Sequence, residues 1–284
     1  MSAKRIDQIA RWTVTAAAGL ILLVLGYILG SVLINGLPVL SWHFLTSRSS
    51  NLEPGGGISM QIFNTIYIVT LSMLIAVPIG LGAGVYLAEY ARPGRLTSLI
   101  RLATESLASV PSIVFGLFGM IVFANAAGLG FSRLGGAATL AILNLPLIVR
   151  VSEEAIRAVP ADLRHASLAL GATKEQTIFS AVLPAAVGRL ATGVTLAAGR
   201  ALGESAVLIA TAGMSSPRYL TFDPLASGET LAVHLWAVNA ENSLSDAARI
   251  ANGTAAFLIL AMLAVSLGIG WFARRLDRRL AGQG

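Results

Sequence analysis

The sequence contains no cysteine and few charged residues, and each absence excludes a class of protein. Without cysteine among its 284 residues, the chain has no disulfide framework, no thiolate nucleophile and no cysteine-ligated zinc site. Its three histidines lie far apart in sequence and show no metal-ligand spacing. Charged residues make up only 12% of the chain, whereas 55% of the residues are hydrophobic. Together with a mean hydropathy of +0.76, this composition excludes a soluble globular domain and a disordered chain.

Six apolar runs predict membrane-spanning helices, each of which needs about 20 mostly apolar residues. The first run is longer than the apolar core of a signal peptide and no A-x-A cleavage site directly follows it, so we interpret it as a retained anchor. The third is interpreted as one helix that begins near Leu96, and the fourth is so short that its ends are expected in the interface. The six runs are residues 12–34, 58–88, 106–132, 134–149, 184–214 and 250–273.

The basic residues predict that both termini are cytoplasmic. In that orientation 15 lysines and arginines lie on the cytoplasmic side, Arg200 lies within the membrane, and only Arg48, Arg133, Arg218 and Arg249 lie outside. The pI near 10.3 is then explained by the positive-inside rule rather than by binding to nucleic acid. The sequence therefore predicts an all-α membrane protein with six transmembrane helices.

The longest polar interval on the predicted cytoplasmic side, residues 152–183, has the signals of two short helices. Pro160 and Asp162 suit the first turn of one helix, and Gly171 suits its C-terminus. Thr173 is a good N-cap for a second helix, which we expect to stop at Pro184. Two short helices joined at a glycine predict a compact knob (residues 160–183) rather than a plain connector.

This interval resembles the signature of binding-protein-dependent ABC importer permeases, E-A-A-x3-G-x9-I-x-L-P. The spacing from glycine to leucine-proline matches in full, while three positions differ, with His165 for Glu, Ser167 for Ala and Ala181 for Ile. The resemblance implies that the knob is a coupling unit that docks on an ATPase subunit. The residues that it assigns to this coupling are Asp162, Arg164, His165, Ala166, Ser167, Gly171, Leu183 and Pro184.

Other stretches are similar to the phosphate-specific permeases of this family, and to the PstA branch more than the PstC branch. They are Trp42-His43-Phe44-Leu45, Gly55-Gly56-Gly57-Ile58, Tyr86-Leu87-Ala88-Glu89-Tyr90, residues 110–117 and Gly199-Arg200-Ala201-Leu202-Gly203-Glu204. The resemblance implies the type I importer permease fold, with six helices and alternating access, in a bacterial inner membrane. It divides the chain into an anchor helix with the first outer loop, residues 1–57, and a transmembrane permease domain, residues 58–284.

The expected energy source lies outside this chain, because the sequence contains no G-x-x-x-x-G-K-[ST] phosphate-binding loop. The resemblance implies a dimeric PstB-like ATPase that uses ATP, so this chain is expected to bind no cofactor and not to be an enzyme itself. It also implies a second, PstC-like permease subunit and an extracytoplasmic PstS-like phosphate-binding protein.

Arg200 and Glu204 interrupt the fifth apolar run and are the main candidates for the substrate pathway. Counted from Arg189, Arg200 lies roughly 16 Å deep, near the middle of the hydrocarbon core, where an arginine costs at least about 2.5–3.5 kcal/mol. Glu204 follows four residues later, so both are predicted on one helix face. They form either an ion pair that fixes packing or a cationic site for phosphate, and the resemblance favours the site.

Further polar residues near the third run have a candidate role. Ser109 and Ser112 flank Pro111 and are candidates to donate hydroxyl groups to an oxyanion, although back-bonding to the helix is the commoner use of such serines. Arg101 and Glu105 are interpreted as a structural i,i+4 pair. In the last outer loop, residues 230–238 are interpreted as an interfacial helix.

Other functions remain open from the residues alone. The charged pair in the fifth run does not separate phosphate from sulfate or phosphonate as the transported oxyanion. A membrane sensor or scaffold that reports phosphate status is a further alternative, although it would not need a coupling-type loop. An intramembrane enzyme has no support, because the sequence contains no nucleophile–base or metal constellation.

Overall fold

The computed structural model describes residues 3–49, 55–241 and 245–280, and every regular element in these ranges is helical. The first predicted span forms α1 (Ala3–Gly36), whose most apolar stretch is not buried by any other part of the described chain. Almost all of α1 is therefore available to lipid or to another subunit. The two chain termini, whose cytoplasmic placement the sequence predicts, lie outside the described residues.

A short connection leads from α1 to the second span. It contains a 3-10 turn (Leu37–Val39) and α2 (Trp42–Thr46), whose N-cap Ser41 accepts a hydrogen bond from the Phe44 amide. The second span is α3 (Ser59–Val85). It continues into a five-residue π-helical segment, Tyr86–Tyr90, which we call the π turn.

The third predicted span is not one helix, so that prediction is wrong. The chain forms α4 (Arg95–Ser109) and α5 (Ser112–Gly119), which meet at an angle of 97°. The break falls at Val110 and Pro111, which have extended ψ angles of 132° and 138°. Because proline lacks an amide hydrogen and disfavours the helical conformation of the preceding residue, the helix ends here and starts again. A π-helical stretch, Met120–Ala126, continues α5.

The fourth span is longer than predicted. The expected short helix, residues 134–149, is the N-terminal part of α6 (Arg133–Arg157), a 25-residue helix that continues past the C-terminal end of the apolar run. α6 packs closely along α3, where added Cβ atoms at Gly80 and Gly84 would overlap Ile148 and Ser152. These glycines therefore let the two backbones approach each other, as small residues do in membrane bundles.

The knob contains α7 (Ala161–Ala169) and α8 (Lys174–Thr177), in agreement with two predicted helices. The second does not stop at Pro184, however. It continues through a π-helical stretch (Ile178–Val182) into α9 (Leu183–Gly203), and together they form one apolar helix of 30 residues. Pro184 lies in the first turn of α9, where the preceding wide π-helical turn accommodates its ring and its missing amide hydrogen.

The fifth predicted span is also broken, since α9 ends at Gly203 and a separate short helix, α10 (Ala206–Thr211), follows. α11 (Leu231–Glu241) covers the predicted interfacial helix, and α12 (Ala247–Leu280) is the last span. The described residues thus contain five helices that are long and apolar enough to cross a membrane, and six if the bent α4–α5 pair forms one span. This agrees with the six predicted spans.

Candidate functional site

The break between α9 and α10 places Arg200 and Glu204 differently from the prediction. Glu204 has left the helix, with φ −76° and ψ 122°, so the two residues do not share a helix face. No ion pair joins them in the described structure. Instead, the Glu204 carboxylate Oε1 accepts a hydrogen bond from the Val207 amide at 3.3 Å and caps α10. The prediction that both residues share one helix face is therefore wrong, and the ion-pair alternative is not found among the described residues.

Arg200 lies in the last turn of α9, where a cation is favoured by the helix dipole. Its side chain is exposed and makes no hydrogen bond or ion pair with any described residue. A guanidinium in an apolar span is costly unless it faces a polar cavity or meets a partner. Among the described residues that partner is absent, so Arg200 presents an available cation at the surface of the bundle.

The break in the third span lies beside the break in the fifth. An added Cβ at Gly116 of α5 would stand 3.0 Å from the Ala206 carbonyl oxygen and 3.1 Å from the Val207 Cα in α10. Because Ser112 begins α5 one turn before Gly116, the starts of α5 and α10 lie side by side. Discontinuous helices of this kind line cavities and binding sites in transporters.

The two candidate serines differ in their contacts. The Ser109 hydroxyl donates to the Ser106 carbonyl at 2.7 Å, which is the back-bonding that the residue type favours. The Ser112 hydroxyl makes no hydrogen bond within the described chain and is half-buried at the start of α5. Of the two, Ser112 retains a hydroxyl that is free to bind a substrate oxygen.

A cavity of about 470 Å³ opens beside the break in the fifth span. Gly203 and Ser205 line it from one side, and Trp236 and Asn239 of α11 line it from the other. The irregular backbone at residues 204–205 therefore borders open space rather than packed side chains. Non-helical backbone in a membrane protein is tolerated at such positions, because water or a substrate satisfies its polar groups.

Sequence reasoning missed a buried polar network that joins α3, α6 and the segment before α11. The Gln61 amide donates to Glu229 Oε2 at 2.7 Å, and Glu229 Oε1 lies 3.1 Å from His234 Nδ1. Asn64 donates to the Glu229 carbonyl at 3.0 Å. The sequence contains a pattern that indicates this network. Gln61, Asn64 and Thr65 recur at helical spacing in an apolar helix, so they share one polar face.

Arg133, which the topology places in an outer loop, is fully buried at the start of α6. Its Nε donates to Asn64 Oδ1 at 2.9 Å, and its Nη1 donates to the Thr221 carbonyl at 2.6 Å. The guanidinium also lies 5.3 Å from the ring of Phe63 and 5.5 Å from that of Tyr67. Carbonyl acceptors and aromatic faces thus offset the cost of burying this charge.

The knob has the local geometry that the sequence predicts. Gly171 has φ +85°, the left-handed conformation that glycine adopts most easily at a helix end. Thr173 forms a capping box with Gln176 at the start of α8. The knob also exposes large apolar side chains, including Leu170 at 90% and Phe179 at 71% exposure. Such an exposed apolar patch marks a surface that docks on another protein.

The residues assigned to coupling do not all face outward. Three of them are exposed on α7, namely Asp162, His165 and Ala166. Leu183 and Pro184, at the start of α9, are half-buried. The Ser167 hydroxyl lies 3.0 Å from that of Thr177 and joins the two knob helices. Arg164 points inward, and its guanidinium lies 2.8 Å from the Glu89 carboxylate.

The predicted Arg101–Glu105 pair is wrong, because each residue bonds across to α6 instead. Arg101 lies 2.9 Å from Glu153, and Glu105 lies 3.8 Å from Arg150. Glu153 is also 3.0 Å from Arg157. These contacts tie α4 to the C-terminal half of α6, where the helix continues past its apolar run.

Comparisons with known proteins agree with this architecture. The profile of one family, the inner membrane component of binding-protein-dependent transport systems, matches residues 76–282. The probable ABC transporter permease protein YqgI of Bacillus subtilis is 40% identical over 291 aligned residues, 99% of each chain. The phosphate transport system permease protein PstA of Haemophilus influenzae is 37% identical over 186 residues, which are 66% of each chain.

A solved structure shares the fold. One chain of the MetNI methionine ABC transporter, in an inward-facing conformation, superposes with a TM-score of 0.63 at 21% sequence identity. The superposition covers 76% of this chain and 94% of that chain. At this level of identity, the likeness concerns the arrangement of helices alone.

Proposed function

Since this chain belongs to the family of binding-protein-dependent transport system inner membrane components, and is a permease subunit with the type I ABC importer fold, we propose that it forms half of a pathway for inorganic phosphate. The observation that carries the proposal is Arg200, an exposed guanidinium at the end of α9 with no partner in the described chain. The similarity to PstA proteins supports phosphate as the substrate.

The chemistry of Arg200 suits a small oxyanion. Phosphate carries one or two negative charges at neutral pH, and a guanidinium is always charged and offers forked donors that match its oxygens. The Ser112 hydroxyl lies at the neighbouring helix break and supplies a neutral donor. A site of this kind binds phosphate from one side, so the second permease subunit is needed to complete it.

Glu204 has a different role from the one that its spacing suggests. By capping α10 it keeps the backbone broken beside Arg200, and its carboxylate remains in the same region as a negative charge. Glu204 therefore shapes the site, whereas Arg200 contacts the substrate.

The partners follow from the knob and from the family. We place a dimeric ATPase, which hydrolyses the ATP, against the exposed apolar patch around Leu170 and Phe179. A homologous permease completes the pathway, and an extracytoplasmic phosphate-binding protein delivers the substrate. In this arrangement the present chain catalyses no reaction and binds no cofactor.

The test is phosphate uptake by the assembled importer in liposomes. ATP is supplied on the side of the membrane where the ATPase subunits lie. We expect Arg200→Gln to lower uptake of radiolabelled phosphate about 10- to 100-fold, as expected for a lost charged hydrogen bond. Arg200→Lys keeps the positive charge but loses the bidentate geometry of the guanidinium, so we expect this variant to take up phosphate only weakly. The matched control is Arg189→Gln, which removes another exposed arginine of α9 and should stay within about twofold of wild type.

Three results would contradict the proposal. Uptake near the wild-type rate in Arg200→Gln would remove Arg200 from the substrate pathway. Equal competition of phosphate uptake by sulfate or a phosphonate would instead indicate a permease for oxyanions in general. Copurification without any uptake would favour a sensor or scaffold.

A further inference from the structure

Arg164 joins three separate elements on the cytoplasmic side. From its place on α7, its Nε and Nη2 donate to Glu89 Oε1 of the π turn at 3.0 Å and 2.8 Å. Its Nη1 donates to the Val159 carbonyl at 2.6 Å, and its Nη2 also donates to the Ile156 carbonyl at 2.7 Å. One side chain thus connects the knob, the end of α6 and the end of α3.

The Arg164–Glu89 pair differs from the surface ion pairs of the same region. The Arg164 and Glu89 side chains are 21% and 11% exposed, whereas those of Arg150 and Glu154 are 56% and 64% exposed. Two nitrogen donors of the Arg164 guanidinium bind the Glu89 carboxylate, so the contact fixes the relative orientation of the two side chains as well as their separation. An exposed i,i+4 pair has neither property and contributes little.

Other contacts hold the π turn from the same side. The Lys174 ammonium donates to the Glu89 carbonyl and lies 4.6 Å from the centre of the Tyr90 ring. Arg157 donates to the Leu87 carbonyl at 3.3 Å. The π turn is therefore bonded to α6, α7 and α8, and the Glu89 carboxylate meets the most enclosed of the donors.

An apolar cluster lies beneath these polar contacts. Its buried members are Ile156, Val159, Val182 and Ala186, with Val85 and Ala88 packed against them. These residues come from the end of α3, the end of α6 and the start of α9. The knob is thus seated on a packed base, and the Arg164–Glu89 pair sets its orientation there.

Connectivity explains why this pair matters. The knob is covalently continuous with α6 on one side and with α9 on the other, but Glu89, in the π turn that follows α3, lies 75 residues before Arg164. Movement of the knob reaches α6 and α9 through the backbone, and it reaches α3 only through non-covalent contacts. The π turn is also an interruption of regular α-helix, and such turns are frequent at functional sites.

We propose that Glu89 and Arg164 are positioning residues that lock the knob to α3, so that the knob, the end of α6 and the π turn move as one unit. The inference rests on the proposed docking of an ATPase at the knob. It assigns Arg164 to transmission within this chain rather than to contact with the ATPase. Loss of the pair would let ATP hydrolysis proceed without full movement of α3.

The first test is the amount of phosphate imported per ATP hydrolysed by the assembled importer. Glu89→Gln keeps the size and an acceptor oxygen but removes the charge, and we expect the ratio to fall about fivefold, with basal ATP hydrolysis within about twofold of wild type. Glu154→Gln is the matched control and should leave the ratio unchanged. A residue that only stabilises the fold would lower the amount of importer and not this ratio.

The second test uses the absence of cysteine from the chain. The double variant Glu89→Cys/Arg164→Cys should import little phosphate per ATP, and joining the two thiols with a short bifunctional maleimide should restore the ratio. If the transport cycle requires the knob and the π turn to separate, the crosslink will instead arrest import. Arrest, or an unchanged ratio in Glu89→Gln, would overturn the proposal.

The third test needs no transported substrate and separates this proposal from the proposed function. Hydrogen exchange is measured on the assembled complex with and without a non-hydrolysable ATP analogue. In wild type, α7 and the π turn should change protection together, whereas in Glu89→Gln only α7 should respond. An equal response of the π turn in both would overturn the linkage. If the wild-type importer moves no phosphate, the proposed substrate is wrong, but the proposed linkage of the knob to α3 is unaffected.

Discussion

At the scale of single residues, the partners of the charged side chains decide their roles. The four-residue spacing predicts that Glu204 lies beside Arg200. In the structure, however, the Glu204 carboxylate caps a different helix, and the Arg200 guanidinium is exposed without a partner among the described residues. The same spacing suggested a pair between Arg101 and Glu105, and both residues bond to α6 instead. Spacing along a helix indicates which residues are neighbours only while the helix continues and no stronger partner approaches.

The capping role of Glu204 makes a prediction that differs from that of an ion pair. Glu204→Gln keeps an oxygen that accepts from the Val207 amide, so phosphate uptake should fall only slightly. Glu204→Ala removes the cap, which costs about 1 kcal/mol, and should lower uptake about fivefold. Uptake assays on matched amounts of assembled importer will measure the difference.

If Glu204 instead acted through an ion pair with Arg200, Glu204→Gln and Glu204→Ala should lower uptake equally, because both remove the charge. Equal and severe losses in both variants would contradict the capping role. The double variant Arg200→Gln/Glu204→Gln should not recover uptake, since it lacks the cation that binds phosphate. Recovery to the wild-type level would show that the two charges serve only each other.

At the scale of elements, broken helices and tight turns position the functional groups. Pro111 ends α4, and the extended backbone at Glu204 ends the last turn of α9, so two short helices start side by side. In the knob, Gly171 reverses the chain between α7 and α8. Each of these three features interrupts a helix beside a group to which we assign a function.

Gly171 provides a clean test of the knob geometry. An added Cβ at Gly171 would meet no atom within 4 Å, so Gly171→Val acts only through the φ of +85°, at a cost of about 1–2 kcal/mol. We expect normal membrane insertion and the loss of substrate-stimulated ATP hydrolysis, measured on purified complex. Gly82→Val is the matched control, since Gly82 also has open space but a helical backbone.

The control fixes the interpretation of this experiment. Substrate-stimulated ATP hydrolysis should stay within about twofold of wild type in Gly82→Val, because helix propensity alone differs by less than 1 kcal/mol. Stimulation at the wild-type level in Gly171→Val would show that the knob is only a connector. Strain in the turn would then have no effect on coupling.

At the scale of the whole molecule, the chain is one part of a larger assembly. α1 is almost entirely exposed, the knob exposes Leu170 and Phe179, and the available Arg200 lies on the bundle surface. Lipid covers many exposed apolar residues in a membrane protein, but it does not satisfy an exposed guanidinium at the end of an apolar helix. The surfaces that remain incomplete in the single chain are therefore those that the proposed partners would cover.

Topology is the prediction that belongs to this scale. With 15 basic residues on one side and four on the other, both termini should lie in the cytoplasm. A reporter fused after Gly284 is expected to be active as a cytoplasmic fusion, and one inserted near Pro217 should be active only outside. The opposite result at either position would reject the six-span arrangement, and a fusion near Arg92 provides a further cytoplasmic control.

The sequence by itself determined the class of the fold and the local geometry of the knob. Apolar runs of sufficient length can be stable only as helices in a bilayer, because every backbone polar group must be satisfied within the segment. Local signals were equally reliable in the knob, where Gly171 and Thr173 form the predicted turn and cap. These features depend on neighbours in sequence, so the amino-acid order is enough to specify them.

Only the tertiary structure decided where helices break and which charges meet. Hydropathy cannot separate one bent span from a straight one, since Pro111 and Glu204 interrupt the backbone without changing the average apolarity. The partners of Arg133 and Arg164 lie 69 and 75 residues away at Asn64 and Glu89, and no local pattern encodes such contacts. A buried charge takes the partner that packing brings within reach, and packing is a property of the whole bundle.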